Sequence, residues 1–303
     1  MIRVANAPVS FGVFDLAGRR AGQADAEALL EGLREGGYTG IDLGPVGFLG
    51  DAGDVRSRLD RVGMDLAGGW IDLRFSDDDG FVDDLPGLDA VLDVLIAGAS
   101  ADPAFAPRPT LACSGSPRRE ARPGGGATDP ALRLADRDWS RFAGNVQRAV
   151  DRCRERGLEP TFHHHACTYV EAPVEIERLL ESTDVGICLD TGHLLLGGGD
   201  PVTAVRDWGS RVNHLHVKDV RIDMLRQVVA EGAGMRTLWE RGVFCALGEG
   251  DLDLLDLLSA VRESGYAGWL VVEQDVVPGP GDTFESLLST QNANRETLRR
   301  WGW

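Results

Sequence analysis

All six histidines of this 303-residue chain fall between positions 163 and 216, and carboxylates end the apolar runs around them. Imidazole and carboxylate are the side chains that hold a divalent ion or move a proton near neutral pH. The densest run is Thr161-Phe162-His163-His164-His165. Read as a strand it alternates sides, so His163 and His165 share one face and His164 takes the other. Gly186-Ile187-Cys188-Leu189-Asp190 is an apolar run that ends in a carboxylate. An ionised Asp190 there needs a cation or several donors, although capping a following helix is its plainer use. His193 lies three residues on and returns to the same place. In Val212-Asn213-His214-Leu215-His216-Val217-Lys218-Asp219, His214, His216 and Lys218 share a face. His214 reads as a packed interior residue, with His216 near the strand end. In Trp269-Leu270-Val271-Val272-Glu273-Gln274-Asp275, Glu273 and Asp275 share the face of Val271, behind four apolar residues.

Together these segments offer His163, Asp190, His216 and Glu273. Two imidazoles and two carboxylates form a mixed nitrogen and oxygen shell with room for substrate oxygens. Such a set suits Mn²⁺ or Co²⁺ first, with Zn²⁺ or Fe²⁺ as alternatives, and not Ca²⁺, which prefers oxygen alone. A histidine-rich strand end without metal is the plainer alternative.

Residues from four segments converge only if a scaffold brings the segment ends together. Short apolar strands alternate with amphipathic stretches along the whole chain. Strands are expected at Ile2–Val9, Thr39–Leu43, Met64–Leu73, Arg108–Cys113, Leu158–His165, Val185–Asp190, Val212–Val217 and Trp269–Gln274. Helices are expected at Asp25–Glu35, Val55–Val62, Leu88–Ala97, Asp138–Arg156, Pro173–Glu181, Asp200–Trp208, Leu252–Glu263 and Thr283–Arg300, with an inserted helix over 224–240. Eight alternating units predict an α/β fold, a (β/α)8 TIM barrel formed by residues 1–303 as one domain. An open doubly wound sheet would carry a GxGxxG after a strand, and none occurs in that setting. Gly197-Gly198-Gly199-Asp200-Pro201 reads instead as a turn and helix start. The stretch 114–137, rich in Ser, Pro, Arg and Gly, is either a lid or a linker.

The net charge of −17 repels phosphate backbones and anionic lipid, so nucleic acid and membrane are poor partners. Five widely spaced cysteines, with no CxxC, fit reduced thiols better than a disulfide framework. No apolar run reaches about 18 residues, and the start of the chain lacks a signal core. The expectation is a cytoplasmic enzyme; its oligomeric state, homo-oligomer or monomer, is left open.

The stretches GYTGIDLGP, LDTGH, HLHVKD, GEGDLDL and GWLVVEQD span nearly the whole chain. They resemble the xylose isomerase-like barrel superfamily. The HxH-x-x-T run at His163–Thr168 and the GW-x-x-x-EQD run are similar to the myo-inosose (2-keto-myo-inositol) dehydratases. The resemblance implies that Asp190, His216 and Glu273 ligate a divalent ion, and that the substrate is a small polyhydroxylated carbonyl compound of inositol catabolism. Many members have a glutamate where this chain has His163. Epimerases and isomerases of the superfamily use two metal-bound carboxylates on opposite faces of the substrate, and here only Glu273 remains of that pair. Elimination from one face is therefore expected over two-face proton exchange. There are departures too: Val276 follows Asp275 where a proline is usual, Phe11 stands where a tryptophan is expected, and Asp42 stands where a glutamate is common.

The expected reaction is dehydration of an inosose or similar keto-polyol. His165, His193, Lys218 and Glu273 are the candidates for base and acid, with the assignment among them open. Trp70 is a candidate wall for the substrate ring, and Glu249 and Asp275 are candidate substrate contacts. For Trp70 the plain alternative is packing, and for Glu249 it is helix capping. The rival functions are a sugar or keto-inositol isomerase or epimerase on the same metal site, a DNA-repair nuclease, a non-catalytic scaffold, and a glycoside-cleaving subunit. The acidic charge argues against the nuclease, and the complete donor set against the scaffold.

Overall fold

The computed structural model describes residues 1–14 and 25–303. Among the described residues, eight parallel strands form one barrel: β1 (Ile2–Asn6), β2 (Gly40–Ile41), β3 (Asp65–Leu66 and Gly68–Leu73), β4 (Arg108–Cys113), β5 (Thr161–His163), β6 (Gly186–Asp190), β7 (Val212–Val217) and β8 (Gly268–Val272). The bend in β3 closes the sheet. The Ala67 N–H donates to Ile41 O at 2.8 Å, while its carbonyl accepts from Arg108 N at 3.0 Å. One half of the strand thus pairs with β2 and the other with β4, and no edge is left between them. The chain forms the (β/α)8 barrel that its alternation predicts.

Helices cover the outside because each has one apolar stripe to bury. The first, α1 (Ala26–Gly36), places Leu29, Leu30 and Leu33 in the core. Burying each contributes about 1.5–3 kcal/mol. Asp25 caps it by accepting from Ala28 N–H, and Gly37, at φ 91°, ends it.

Some boundaries differ from the sequence expectation. The helix expected from Leu88 begins at Asp78 and runs to Gly98. Pro86 lies inside it but is exposed, so the backbone bond that proline removes is lost on the solvent side. The stretch 224–240 is two helices, Ile222–Ala230 and Met235–Glu240, separated by a turn with Gly232 at φ 70°. Residues 114–137 are no plain linker. They form short helical turns fastened to the barrel. Arg119 is fully buried and pairs with both carboxylate oxygens of Glu175 at 2.9 Å. Glu171 accepts from the N–H groups of Gly124 (2.9 Å) and Gly126 (3.0 Å).

Candidate metal centre

The strand register sets the donor layer. Asp190 on β6 is level with His216 on β7, and His163 on β5 is level with Cys188 two residues below Asp190. Glu273 continues β8, with its N–H on Val217 O at 3.2 Å. One ligand atom from each of His163, Asp190, His216 and Glu273 lies within 4.8 Å of every other. His163 Nε2 is 3.3 Å from Asp190 Oδ2. His216 Nδ1 is 2.9 Å from Glu273 Oε2 and 3.8 Å from Asp190 Oδ2.

Asp190 serves both of its readings, one oxygen to each. Oδ1 caps the helix Thr191–Leu196 by accepting from His193 N–H at 2.8 Å. Oδ2 is buried without a well-aligned hydrogen bond, as is His216 Nδ1, the ring nitrogen that faces the other donors. Buried polar atoms are rarely left so, and a cation in the centre would satisfy them together. The residues therefore fit a divalent metal. Electrostatics agree. Burial alone would raise the Glu273 carboxyl, but Lys218 and His216 drive it down to about 2. Burial also opposes ionisation of Asp190, yet Lys218 and the neighbouring histidines hold it well below the usual carboxylate range. Ligand carboxylates held deprotonated are ready for a cation.

The LDTGH segment shapes what stands beside this layer. Thr191 Oγ1 donates to Lys218 O at 2.7 Å and accepts from Lys218 N–H at 2.8 Å. A Cβ on Gly192 would lie 3.0 Å from Lys218 Cβ and Cγ, so glycine here lets the two segments approach without displacing that side chain. Lys218 Nζ then meets Asp275 Oδ1 at 2.7 Å, Glu273 Oε2 at 3.0 Å and Asp190 Oδ2 at 3.3 Å. Burial disfavours its ammonium, but Asp190, Asp275 and Glu273 keep it charged well above the usual range.

The histidines divide by position. His165 lines the mouth, and its Nδ1 is 2.8 Å from Ala166 O. That carbonyl can only accept, so Nδ1 carries the proton and Nε2 keeps its lone pair. Burial, with His163 nearby, pushes the His165 pKa down to about 4, so the ring is neutral. His193 is fully buried and lies behind the mouth, its ring centroid 3.6 Å from that of His165 and its plane tilted by 38°. Its Nδ1 accepts from Ala166 N–H at 3.3 Å, and its Nε2 faces Asp275 Oδ2 at 3.5 Å. It does not reach the cavity as a base, because the chain enters a helix directly after Asp190. His164, on the outer side of β5, has Nε2 3.2 Å from the Asp190 N–H it accepts. His214 is buried below the donor layer.

The mouth is a cavity of about 350 Å³, floored by Asp42, His163, Lys218, Glu273 and Asp275 and walled by Val9, Val13, Phe14, Val46, Trp70 and Trp239. The Trp70 ring stands edge-on to His163 at 5.1 Å and to His165 at 5.5 Å. Glu249 is not in this mouth. It is exposed, pairs with Arg221 at 3.0 Å, and lines a separate cavity behind Trp239. The reason lies in Asp219, whose carboxylate accepts from the N–H groups of Gly248, Gly250 and Leu252 and turns the GEGD loop outward. Sequence reasoning noted Asp42 only as a departure and missed Phe14 and Trp239 as walls. Trp239 sits on the inserted helix, where no strand alternation announces it.

Comparison with known proteins agrees with the barrel fold. Residues 109–293 match the model of the xylose isomerase-like TIM barrel family. An inosose dehydratase of Geobacillus kaustophilus is 30% identical over 280 residues, spanning 91% of this chain and 88% of that protein. Among solved structures, the probable 3-DHS dehydratase AsbF of Bacillus anthracis superposes with a TM-score of 0.69 at 14% identity, over 98% of both chains. The IOLI protein with a bound zinc atom superposes with a TM-score of 0.69 at 13% identity, over 99% of this chain and 98% of that one. With its closed eight-stranded barrel and its donors at the ends of β5 to β8, the chain belongs to the xylose isomerase-like TIM barrel family.

Proposed function

We propose that this chain is a metal-dependent hydro-lyase that dehydrates an inosose or a similar keto-polyol. One observation carries the reading. Of the four candidate ligands only Asp190 and Glu273 are carboxylates, and Asp190 is fully buried and committed to a helix cap. Glu273 is then the single ligand carboxylate facing the mouth, and the first position is His163. Among the described residues, the donor set holds no pair of opposed ligand carboxylates that would pass a proton across both faces of a substrate. The 30% identity to an inosose dehydratase over nearly the full length supports the same class.

His163, Asp190, His216 and Glu273 would hold the ion, Mn²⁺ or Co²⁺ by preference among the borderline cations this donor set accepts. When bound, the ion polarises the substrate ketone and acidifies its α-carbon. His165, neutral with a free Nε2, removes the α-proton. The electrons of that C–H bond form the new C=C bond, and the β-hydroxyl departs. Lys218 donates a proton to that oxygen, which leaves as water. The proton on His165 returns to Lys218 through solvent or through the product enol, so the net change is loss of one water. Trp70 and Trp239 offer the apolar walls against which the C–H faces of a polyol ring pack, and they limit water at the reacting carbon. Asp275 holds Lys218 in place. His193 supports His165 from behind.

The test is a screen of inososes and 3-keto sugars with Mn²⁺ or Co²⁺, followed by ultraviolet absorbance of the diketone product and by mass loss of water. In deuterated solvent, recovered substrate should carry no inverted, labelled carbon. Label returned to an epimerised centre without water loss would replace this reading with an epimerase. Wild-type protein that carries no divalent metal and is activated by none would remove it.

A further inference from the structure

Asp42 is the second-last residue of the GYTGIDL segment, on the opposite side of the barrel from the donor strands. Its N–H donates to Asn6 O at 2.9 Å, which fixes it at the C-terminal end of β2. Its side chain is almost fully buried. Oδ2 lies 3.4 Å from His216 Nε2. The other nitrogen of that ring, Nδ1, is the one that faces Glu273 and Asp190. A neutral imidazole carries one proton, and the group beside one nitrogen decides which nitrogen keeps a lone pair. A carboxylate beside Nε2 holds the proton there and leaves Nδ1 free to ligate.

We infer that Asp42 is the positioning residue of the metal centre: it fixes the tautomer and rotation of His216 from behind. The inference rests on the metal-binding reading above. A feature of β3 supports it independently. Gly68 faces Asp42 across the sheet, and a Cβ there would lie 3.2 Å from Asp42 Oδ1, 3.1 Å from Thr110 Oγ1 and 3.0 Å from Arg108 O. The missing side chain is the space that the Asp42 carboxylate occupies. Asp42 is thus held at a set distance from His216 by a strand that contributes no ligand.

The experiment measures Zn²⁺ affinity by chelator competition, with no substrate present. Asp42→Ala should bind Zn²⁺ about 10–100-fold more weakly than wild type, the usual effect of losing such a partner. Asp42→Asn keeps an acceptor without the charge and should fall between the two. Asp42→Glu restores a carboxylate and should recover most of the affinity. Gly68→Ala keeps Asp42 but crowds it, and should weaken binding as well, which guards against a folding defect in Asp42→Ala. In the Zn²⁺-loaded wild type, the ¹H–¹⁵N spectrum of labelled histidine should show the His216 Nε2–H far downfield, and Asp42→Ala should move it upfield. Wild-type affinity and an unmoved resonance in folded Asp42→Ala overturn the inference and leave the metal reading standing. A wild type that binds no Zn²⁺ overturns both.

Discussion

Lys218 Nζ lies 3.3 Å from Asp190 Oδ2, the same oxygen that faces His163 Nε2 at 3.3 Å. A buried ammonium and a candidate ligand imidazole therefore share one carboxylate oxygen. Lys218 supplies the fixed positive charge that lets Asp190, Glu273 and Asp275 sit together in a buried site.

Removing that charge tests its role. Lys218→Met leaves three buried carboxylates facing one another, and breaking a buried pair costs about 3–5 kcal/mol. The loss should be large in chelator and smaller with saturating Mn²⁺, since the ion supplies charge in the same place. Thermal melts with and without metal check this; an equal loss in both conditions would count against the account. Turnover should also fall.

His165→Gln should lower kcat by about 10²–10⁴-fold, the range for losing a general base. KM and bound metal should change little, because His165 is outside the donor set. Metal analysis beside steady-state kinetics separates this from His216→Ala, which should lose the metal itself.

Glu249→Gln should leave KM and kcat near wild type. Glu249 is exposed and pairs with Arg221 on the surface, and such pairs contribute about 0–1 kcal/mol. A several-fold rise in KM would place the GEGD loop at the substrate after all.

Arg119→Met should destabilise the chain by about 3–5 kcal/mol, because it strands the buried carboxylates of Glu175 and Glu171. The urea midpoint reads this directly. Arg119 also donates to Thr168 O in the turn after His165, so without it the 114–137 segment loosens and its susceptibility to limited proteolysis should rise.

His164 gives the pH dependence a sign. Burial, and then His163 nearby, lower its pKa from 6.5 to about 3 in the folded state. Between those values the unfolded chain takes up a proton that the folded chain refuses. Stability is therefore full above about pH 6.5 and falls as pH drops toward 3, by up to about 1.4 kcal/mol per pH unit. His164→Gln, which keeps a polar group near the Asp190 N–H, should flatten the slope of folding free energy against pH in that window. An unchanged slope would show that His164 is not what titrates.

Strand alternation is local, and it was enough to put His163 with His165, to separate His164, and to rank His216 above His214. The alternation of eight strands with helices announced the barrel for the same reason: each element's period is written in its own residues. Other features depend on distance across the barrel, which no local pattern encodes. Asp42 meets His216 only because the bend at Ala67 closes the sheet. Glu249 turns away because Asp219 takes the N–H groups of its loop, and His193 falls behind His165 because a helix starts at once after Asp190. Residues 114–137 read as lid or linker until Arg119 found Glu175. The sequence by itself determined the fold class and named the candidate donors. Tertiary structure decided which groups stand behind those donors and which face the mouth, because that is set by closure, register and the pairing of buried charges.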